Sequence, residues 1–552
     1  ASCSLHPAHP ARFVVNGAGD VCAPHGRQCD TTRPCMRSRV PFAQCSAASG
    51  ASPQEAAHSA TTAVSVVTHL VLRRTYRVVG ILRPLQHAVL LLGDYTPKLR
   101  ALDELFRNYG QQAVALSPRE ATRRGPDGIA DLLDEQGFCI EYVLPLVDCA
   151  VATADILNSR LDRMANDPST SALRRDKFEQ QEALRRAGLA AASQCLAADA
   201  DDAGRFWQEA FPVAGSCGDG NGERQVVVKP RDASGGDGIW LCGSEAAVRS
   251  AFAREHGRPN VEGGANRELV VMEAFHGEEW VVNSVSLHGV HKFTDVWRGP
   301  PKAIQIEAAA EEAEEMCSPA QFLYTAQFLA AESPRRAELL VFCAAALDAI
   351  GVCSGCAHTE LVFGAEGPRL LEVNARPAGG LPRTPLRPNQ LQALAMSLFD
   401  LDSFHALPAA PASAPTPLPG CVPGEGLGAA VIFLRAPLDG WLCGAAVAQI
   451  VALRTFHRFE RALPGLRAAS RPRSLPVRRT TGLFTSPGAV VLVGEPSDVE
   501  ADAVEVRQIE VSAYFADEPD DDDGDDICAE YPTITGSGGS GDRTVGDAGA
   551  FV

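Results

Sequence analysis

Apolar positions are not spread evenly along the chain. Residues 1 to 84 show no sustained period, whereas from 87 onward compact apolar runs alternate with helical spacing. "HAVLLLGDY" (87 to 95) reads as a buried strand, and "KLRALDELFRNYG" (98 to 110) places Leu99, Leu102, Leu105 and Phe106 on one helical face before a glycine stop. A strand leading into a helix is an α/β beginning. "LPLVDCAVATADILNSRL" (144 to 161) predicts a further helix, and "LLVFCAAALDAIGVCSGCA" (339 to 357) a buried helix divided by Gly351 from a following strand. Asp348 in the middle of that second segment argues against a membrane span, because such a charge costs about 2.5 to 3.5 kcal/mol at a bilayer centre. Beyond residue 400, "LPAAPASAPTPLPGCVPGEG" (407 to 426) reads as a linker, and a β-rich unit runs from "GAAVIFLRAP" (428 to 437) to "GAVVLVG" (488 to 494).

The most informative alternation lies in "CSGCAHTELVFGAEGPRLLEVNARPAGG", residues 353 to 380. Two apolar runs flank a Gly- and Pro-rich loop, which predicts a β-hairpin. With side chains alternating between faces, His358 and Glu360 share one face, as do Glu372, Asn374 and Arg376. In the simplest register Phe363 faces Arg369 and Glu360 stands opposite Glu372. Like charges in that relation destabilise a sheet unless a cation compensates them. Two glutamates and an asparagine oxygen are the hard donors that Mg²⁺ takes alongside substrate phosphates. A solvated hairpin face is the competing reading.

Composition narrows the partners. The 552 residues are 45% hydrophobic, enough for three or four units at roughly 150 residues each. The net charge is -18, and nine acids in "DEPDDDDGDDICAE" (517 to 530) supply half of it. An acidic chain lacks the cations that displace counterions from phosphates, so no nucleic-acid partner is expected; neither is a membrane. Seventeen irregularly spaced cysteines and no N-x-[ST] acceptor point to a reducing compartment rather than a secreted disulfide scaffold. Cytoplasm is the expected location, or an organelle if residues 1 to 84 are a transit peptide. The C-x2-C-x-H cluster of Cys353, Cys356 and His358 has no second pair to complete a zinc site, and its cysteines read as small buried strand residues.

Other segments carry weaker signals. "QVVVKPRDASGGDGIWL" (225 to 241) sets Lys229 at the end of a valine run, followed by Ser234, Gly235, Gly236 and Gly238. Glycines let backbone N–H groups approach phosphate oxygens, although no Walker A sequence is present. "RRDKFEQQEALRRAGL" (174 to 189) starts a helix at Lys177 behind an Asp176 cap; taken alone, that lysine reads as a surface residue. In "ELVVMEAFHGEEWVVNSVSLHG" (268 to 289) one strand ends at Glu273 and another is entered through Glu278 and Glu279. Arg298 and Lys302 read as solvated charges, "EAAAEEAEE" (307 to 315) as an exposed segment, and Trp297 as core or pocket wall.

Taken in order, the "DK" lysine, the strand lysine with "SGGDG", the "MEAFHGEE" hinge and "HTEL…LLEVNARPAGG" resemble the ATP-grasp superfamily. Within it, they look most like the amino-acid and dipeptide ligases. The resemblance covers about residues 85 to 515, leaving the leader (1–84) and the acidic tail unexplained, and implies an α/β (α+β ATP-grasp) fold with an N-terminal parallel α/β domain (85–170) and an ATP-grasp domain of two α+β subdomains (171–400). A linker (401–427), a C-terminal β-rich lid (428–515) and an acidic disordered tail (516–552) follow. It also implies ATP as cosubstrate and Mg²⁺, with Mn²⁺ as an alternative, held by Glu360, Glu372 and Asn374. Lys177 and Lys229 would contact phosphates, with the loop from Ser234 to Gly238 closing over them. Glu273 would mark the adenine hinge and Glu279 would hold the ribose. Arg376 would stabilise the transferring phosphoryl group, and His358 would line the acceptor pocket. The implied activity is ADP-forming amide synthesis between a small carboxylate and an amine, through an acyl phosphate. A ligase for another small carboxylate, or a nucleotide-binding regulatory module without turnover, is the alternative.

Overall fold

The computed structural model describes residues 87–92, 96–135, 139–210, 225–260, 264–300, 303–306, 319–330, 333–379, 388–407, 427–460 and 474–516. It also describes the antiparallel strand pair Val14–Val15 and Val21–Cys22, which lies in a separate unit, Ala1–Ser59. The rest of the leader, Lys302, the 307–315 segment, most of the Pro-rich stretch and the acidic tail lie outside the described residues.

The N-terminal part is a three-stranded parallel sheet of β1 (His87–Leu92), β2 (Gln112–Leu116) and β3 (Cys139–Pro145), ordered β2-β1-β3. The helix predicted over 144–161 is corrected. Leu144 and Pro145 complete β3 in register with Leu91 and Leu92, and the α-helix spans only Val151–Arg160 (α1 here). Short apolar runs do not distinguish buried strand from buried helix, so the register with β1 decides.

A six-stranded sheet follows: β4 (Gln194–Ala197), β5 (Val226–Pro230), β6 (Trp240–Cys242), β7 (Leu269–Glu273), and two strands reached later in the chain. The eight-stranded sheet begins with β8 (Glu278–Leu287) and β9 (Val290–Gly299). Chain order then gives β10 (Ala303–Ile306) and β11 (Ala320–Leu323) to the six-stranded sheet, and β12 (Ala326–Leu329), β13 (Gly355–Gly364) and β14 (Gly367–Asn374) to the eight-stranded one. Beyond residue 427, β15 (Gly428–Phe433), β16 (Gly440–Leu442), β17 (Phe456–Glu460), β18 (Leu475–Val477) and β19 (Ala489–Gly494) appear. The large sheet runs β14-β13-β8-β9-β12-β15-β19-β17. The β-rich C-terminal region is therefore hydrogen-bonded into the sheet that carries the predicted hairpin.

Alternation along these strands separates core from cleft. Trp280, Val282, Leu361, Leu370 and Val373 turn towards α2 (Lys177–Arg186) and α3 (Arg336–Ile350), while Glu279, Glu360 and Glu372 turn the other way. In the smaller sheet Val226, Val228 and Val271 pack under the flanking helices and Val227, Lys229 and Met272 face the cleft. The 339–357 segment behaves as its sequence predicts. α3 ends at Gly351 in the left-handed region (φ 76), and β13 begins at Gly355. Among the described residues no helix is long and apolar enough to cross a membrane.

Candidate ATP and metal site

Helix α2 fixes the first cation. Asp176 caps it by accepting from the Phe178 and Glu179 amides, so Lys177 opens the helix. Gln180 and Gln181 lie one turn on, on the same face. Their side-chain amides bond the outer edge of β14: Gln180 Nε2 donates to the Val373 carbonyl at 2.8 Å, the Val373 amide donates back at 2.9 Å, and Gln181 Nε2 donates to the Leu370 carbonyl at 2.7 Å. An edge strand that would otherwise leave buried backbone groups unpaired is closed by two glutamines. That docking brings Lys177 Nζ to 2.6 Å from Glu372 Oε2 and to 2.6 Å from the Ala233 carbonyl. The surface-lysine reading is overturned, for Lys177 is 7% exposed. Burial pulls its ammonium pKa down, but Glu372 and Asp148 outweigh that and hold it above its ordinary value.

Glu360 and Glu372 are direct partners across the hairpin, as expected, although the register near the turn is not the simple one. Phe363 pairs with Pro368 and Val362 with Arg369, one step off, and a bulge after Leu361–Leu370 restores Glu360 opposite Glu372. The extra residue is Leu371. A bulge lets consecutive side chains take one side of a strand, and here both Leu371 and Glu372 line the cleft. Next to this pair, Asn374 Nδ2 donates to Glu372 Oε1 at 3.1 Å, and His358 Nε2 lies 3.4 Å from Glu360 Oε1.

The cleft between the two sheets encloses a cavity of ≈ 370 Å³. Lys177, Lys229, Glu360 and Glu372 all line it, with Lys177 bonded to Glu372 and Glu360 paired opposite Glu372. Met272, Val227, Leu241 and Phe275 give it apolar walls, and the segment from Glu273 to Gly277 runs along it. Glu279 faces in, whereas Glu278 pairs with Arg335 and lies 3.9 Å from Arg298 on the outside. Glu273 lines the cavity and accepts from the Ser193 amide at 2.9 Å. Gly277 (φ 150) could not carry a Cβ, which would meet the Phe363 carbonyl oxygen at 2.3 Å; the hinge thus runs against the hairpin backbone. Of the glycine-rich loop, Gly235 and Gly236 line the cavity while Ser234 and Gly238 do not. Gly238 (φ 69) instead packs against Pro230, Glu255 and Arg258, so its conformation serves the fold of the loop.

Arg376 and His358 sit beside the carboxylates rather than in the cavity lining. Arg376 donates twice to Asp148 Oδ2, through Nε at 2.9 Å and Nη2 at 2.7 Å. Burial lowers the guanidinium pKa, but Asp148, Glu372 and Glu360 together hold it above its usual value. Burial likewise raises the Asp148 carboxyl, and Arg376, Lys177 and Arg175 outweigh it to leave that pKa lowered. His358 Nδ1 lies 2.8 Å from Asn283 Oδ1, and Asn283 Nδ2 in turn donates to Asp295, which also accepts from Trp297 Nε1 at 2.6 Å. Since the carboxylate can only accept, the Asn283 amide presents its oxygen to the imidazole, whose Nδ1 then carries the proton. Trp297 is both core and support, being 2% exposed with Asp295 as its acceptor.

Asp148, Asn283 and Asp295 were not singled out in the sequence. Asp148 follows the carboxyl end of β3, the edge of a parallel sheet where ligands gather, and that position was the available signal. The cysteine reading needs one correction. Cys356 is buried, but Cys353 is exposed because it precedes β13 instead of lying within it. No group of three His, Cys, Asp or Glu side chains able to hold a metal occurs among the described residues. Two carboxylates and an amide oxygen still suit Mg²⁺, which fills its remaining positions with phosphate oxygens and water. The Lys177 ammonium already bound to Glu372 indicates that this donor set is built for positive charge.

Two facing sheets with a cleft between them are the ATP-grasp fold, which the chain shares with the solved structures to which it is similar. No protein-family model matches the chain. Residues of the chain are 29% identical over 282 positions to the Dapdiamide A synthase of Enterobacter agglomerans, covering 50% of this chain and 60% of that protein. The chain thus spans less than two thirds of the length of that curated relative. Among solved structures, the L-amino acid ligase of Bacillus licheniformis superimposes with a TM-score of 0.52 at 16% identity, over 77% of this chain and 98% of that one. A carboxyaminoimidazole ribonucleotide synthase of Aspergillus clavatus, solved in complex with ATP, gives 0.50 at 13% identity over 77% and 98%.

Proposed function

We propose that the protein is an ADP-forming ligase that joins the carboxylate of one small substrate to the amine of another, with amino acids as the substrate class. One observation carries the reading: Glu360 and Glu372, paired in register, open onto the same cavity as Lys177, Lys229 and the glycine-rich loop. The likeness to Dapdiamide A synthase and to an L-amino acid ligase supports amide formation as the outcome.

A carboxylate is a poor electrophile, and phosphorylation by the ATP γ-phosphoryl group converts it to an acyl phosphate as ADP leaves. Attack by the amine on the acyl carbon then expels inorganic phosphate and yields the amide. The apolar end of the cleft takes the adenine beside the 273–277 segment, and Glu279 accepts from the ribose hydroxyls. Lys177 and Lys229 counter the negative charge of the phosphates. Glu360, Glu372 and Asn374 would hold Mg²⁺, or Mn²⁺ with the same oxygen preference, which spreads the charge developing on the transferring phosphoryl oxygens. Arg376, oriented by Asp148, stabilises the acyl-phosphate oxygens and the oxyanion that follows. His358, held through Asn283 with its Nε2 3.4 Å from Glu360 Oε1, would line the acceptor pocket beside the metal-holding carboxylates. The test is phosphate release from Mg-ATP across single and paired amino acids. Release that requires two particular compounds establishes the ligase, and silence throughout with ATP still bound would favour a regulatory nucleotide-binding role.

A further inference from the structure

The glycine-rich loop has almost no side chains with which to hold itself. Gly235, Gly236 and Gly238 all occupy the left-handed region (φ 67, 80 and 69), and the loop is pinned at its two ends, by the Lys177 ammonium on the Ala233 carbonyl at 2.6 Å and by Asp237 on Arg258 at 2.7 Å. The position of its tip is therefore set by whatever it rests on. At Gly235 that surface is the ring of Phe484: a Cβ built there would lie 2.6 Å from Phe484 Cε2 and 3.6 Å from Leu483 Cδ2. At Gly236 it is Tyr324, whose ring would stand 3.7 Å from such an atom and which packs on Phe433 with centroids 5.3 Å apart.

Phe484 belongs to the other side of the cleft. The glycine loop connects β5 to β6 of the six-stranded sheet, whereas Phe484 lies just before β19 of the eight-stranded one. Gly235 lines the cavity and Phe484 does not, so the ring backs the loop from outside. Its turn is rigidly built. Thr485 Oγ1 accepts from the Thr481 amide at 2.7 Å and the Gly482 amide at 3.1 Å, and Thr480 exchanges two hydrogen bonds with Ala436 at 2.8 and 2.9 Å. Ser486 Oγ donates to the Leu434 carbonyl at 2.7 Å. A large aromatic side chain held on such a turn yet 60% exposed has no core to fill.

We propose that Phe484 is a positioning residue: it latches the tip of the glycine-rich loop to the C-terminal β-rich region, bridging the two sheets across the mouth of the cleft and setting how fast nucleotide leaves. The inference rests on the ATP-binding reading above and adds a residue from outside the cavity to it. In the ligase, the same latch keeps water from the acyl phosphate during the wait for amine.

The experiment follows release of a fluorescent ADP analogue, with Mg²⁺ present, by stopped-flow from the full chain and from Phe484→Ala, Phe484→Tyr and Phe484→Asp. The latch predicts release accelerated roughly tenfold in Phe484→Ala, equivalent to about 1.4 kcal/mol, more in Phe484→Asp, and a rate near the original in Phe484→Tyr. It also predicts that adding Phe484→Ala to Gly235→Ala relieves part of the binding loss of Gly235→Ala alone. Circular dichroism melting checks that each variant is folded. Release unchanged in both Phe484→Ala and Phe484→Asp overturns the latch while leaving the nucleotide site standing. Failure of the unaltered protein to bind the analogue overturns the ATP-binding reading and the latch with it.

Discussion

Lys177 Nζ and Glu372 Oε2 lie 2.6 Å apart, with only 8% and 14% of their side chains exposed, and the same ammonium donates to the carbonyl of Ala233 at the base of the glycine-rich loop. One cation thereby ties helix, the β13–β14 hairpin and the loop together. Replacing Lys177 by Ala leaves Glu372 facing Glu360 without the cation bonded to it, with Arg376 the remaining positive charge nearby. Breaking a buried pair in this way costs roughly 3–5 kcal/mol. The expected outcome is a lower melting temperature for Lys177→Ala in EDTA, with part of the deficit recovered in Mg-ADP as metal replaces the ammonium. Equal melting temperatures in EDTA would contradict the role given to this pair.

The Asp148–Arg376 pair gives a pH dependence whose sign is fixed. The Asp148 carboxyl has a lowered pKa in the folded protein, since Arg376, Lys177 and Arg175 outweigh its burial. A carboxylate with a depressed folded pKa contributes stability that is present above its unfolded value of about 3.9 and is lost as pH falls through the folded value. Stability of the protein against denaturant should therefore fall more steeply below about pH 4 than that of Asp148→Asn. Parallel pH profiles for the two would remove Asp148 from the account.

Cysteine reactivity maps the burial pattern. Burial pushes the Cys242 and Cys343 thiols up to about 12, so neither forms appreciable thiolate at neutral pH. Cys353 is exposed. Iodoacetamide at pH 7.5 followed by peptide mass spectrometry should mark Cys353 within minutes and leave Cys242 and Cys343 unmarked until denaturant is added. Early labelling of Cys343 would mean that α3 is not packed under the sheet as described.

The sequence was most legible where local pattern and chemistry coincided. Alternation in 357–375 placed Glu360, Glu372 and Asn374 together, because a period of two is enough to assign faces. It could not supply the bulge at Leu371, since an extra residue in one strand depends on how the neighbouring chain closes the turn. Lys177 looked like a surface lysine because its burial arises from Gln180 and Gln181 docking on a strand about 190 residues later. The Arg376–Asp148 pair spans 228 positions, a separation no local reading bridges. The glycine-rich turn after β5 was readable from its glycines, but the contact with Phe484 required the eight-stranded sheet to be assembled first.

The central claim is that Glu360 and Glu372 together accept a divalent ion that carries the triphosphate end of ATP. Calorimetric titration of ATP into the protein in Mg²⁺ and in EDTA, repeated with the Glu360→Gln/Glu372→Gln variant, tests it most directly. The account predicts tight binding in Mg²⁺ that weakens in EDTA, and a variant whose affinity in Mg²⁺ falls by more than ~100-fold, beyond the range for loss of one outer metal partner. A variant that binds Mg-ATP as the original does, or an original that is indifferent to EDTA, would contradict it.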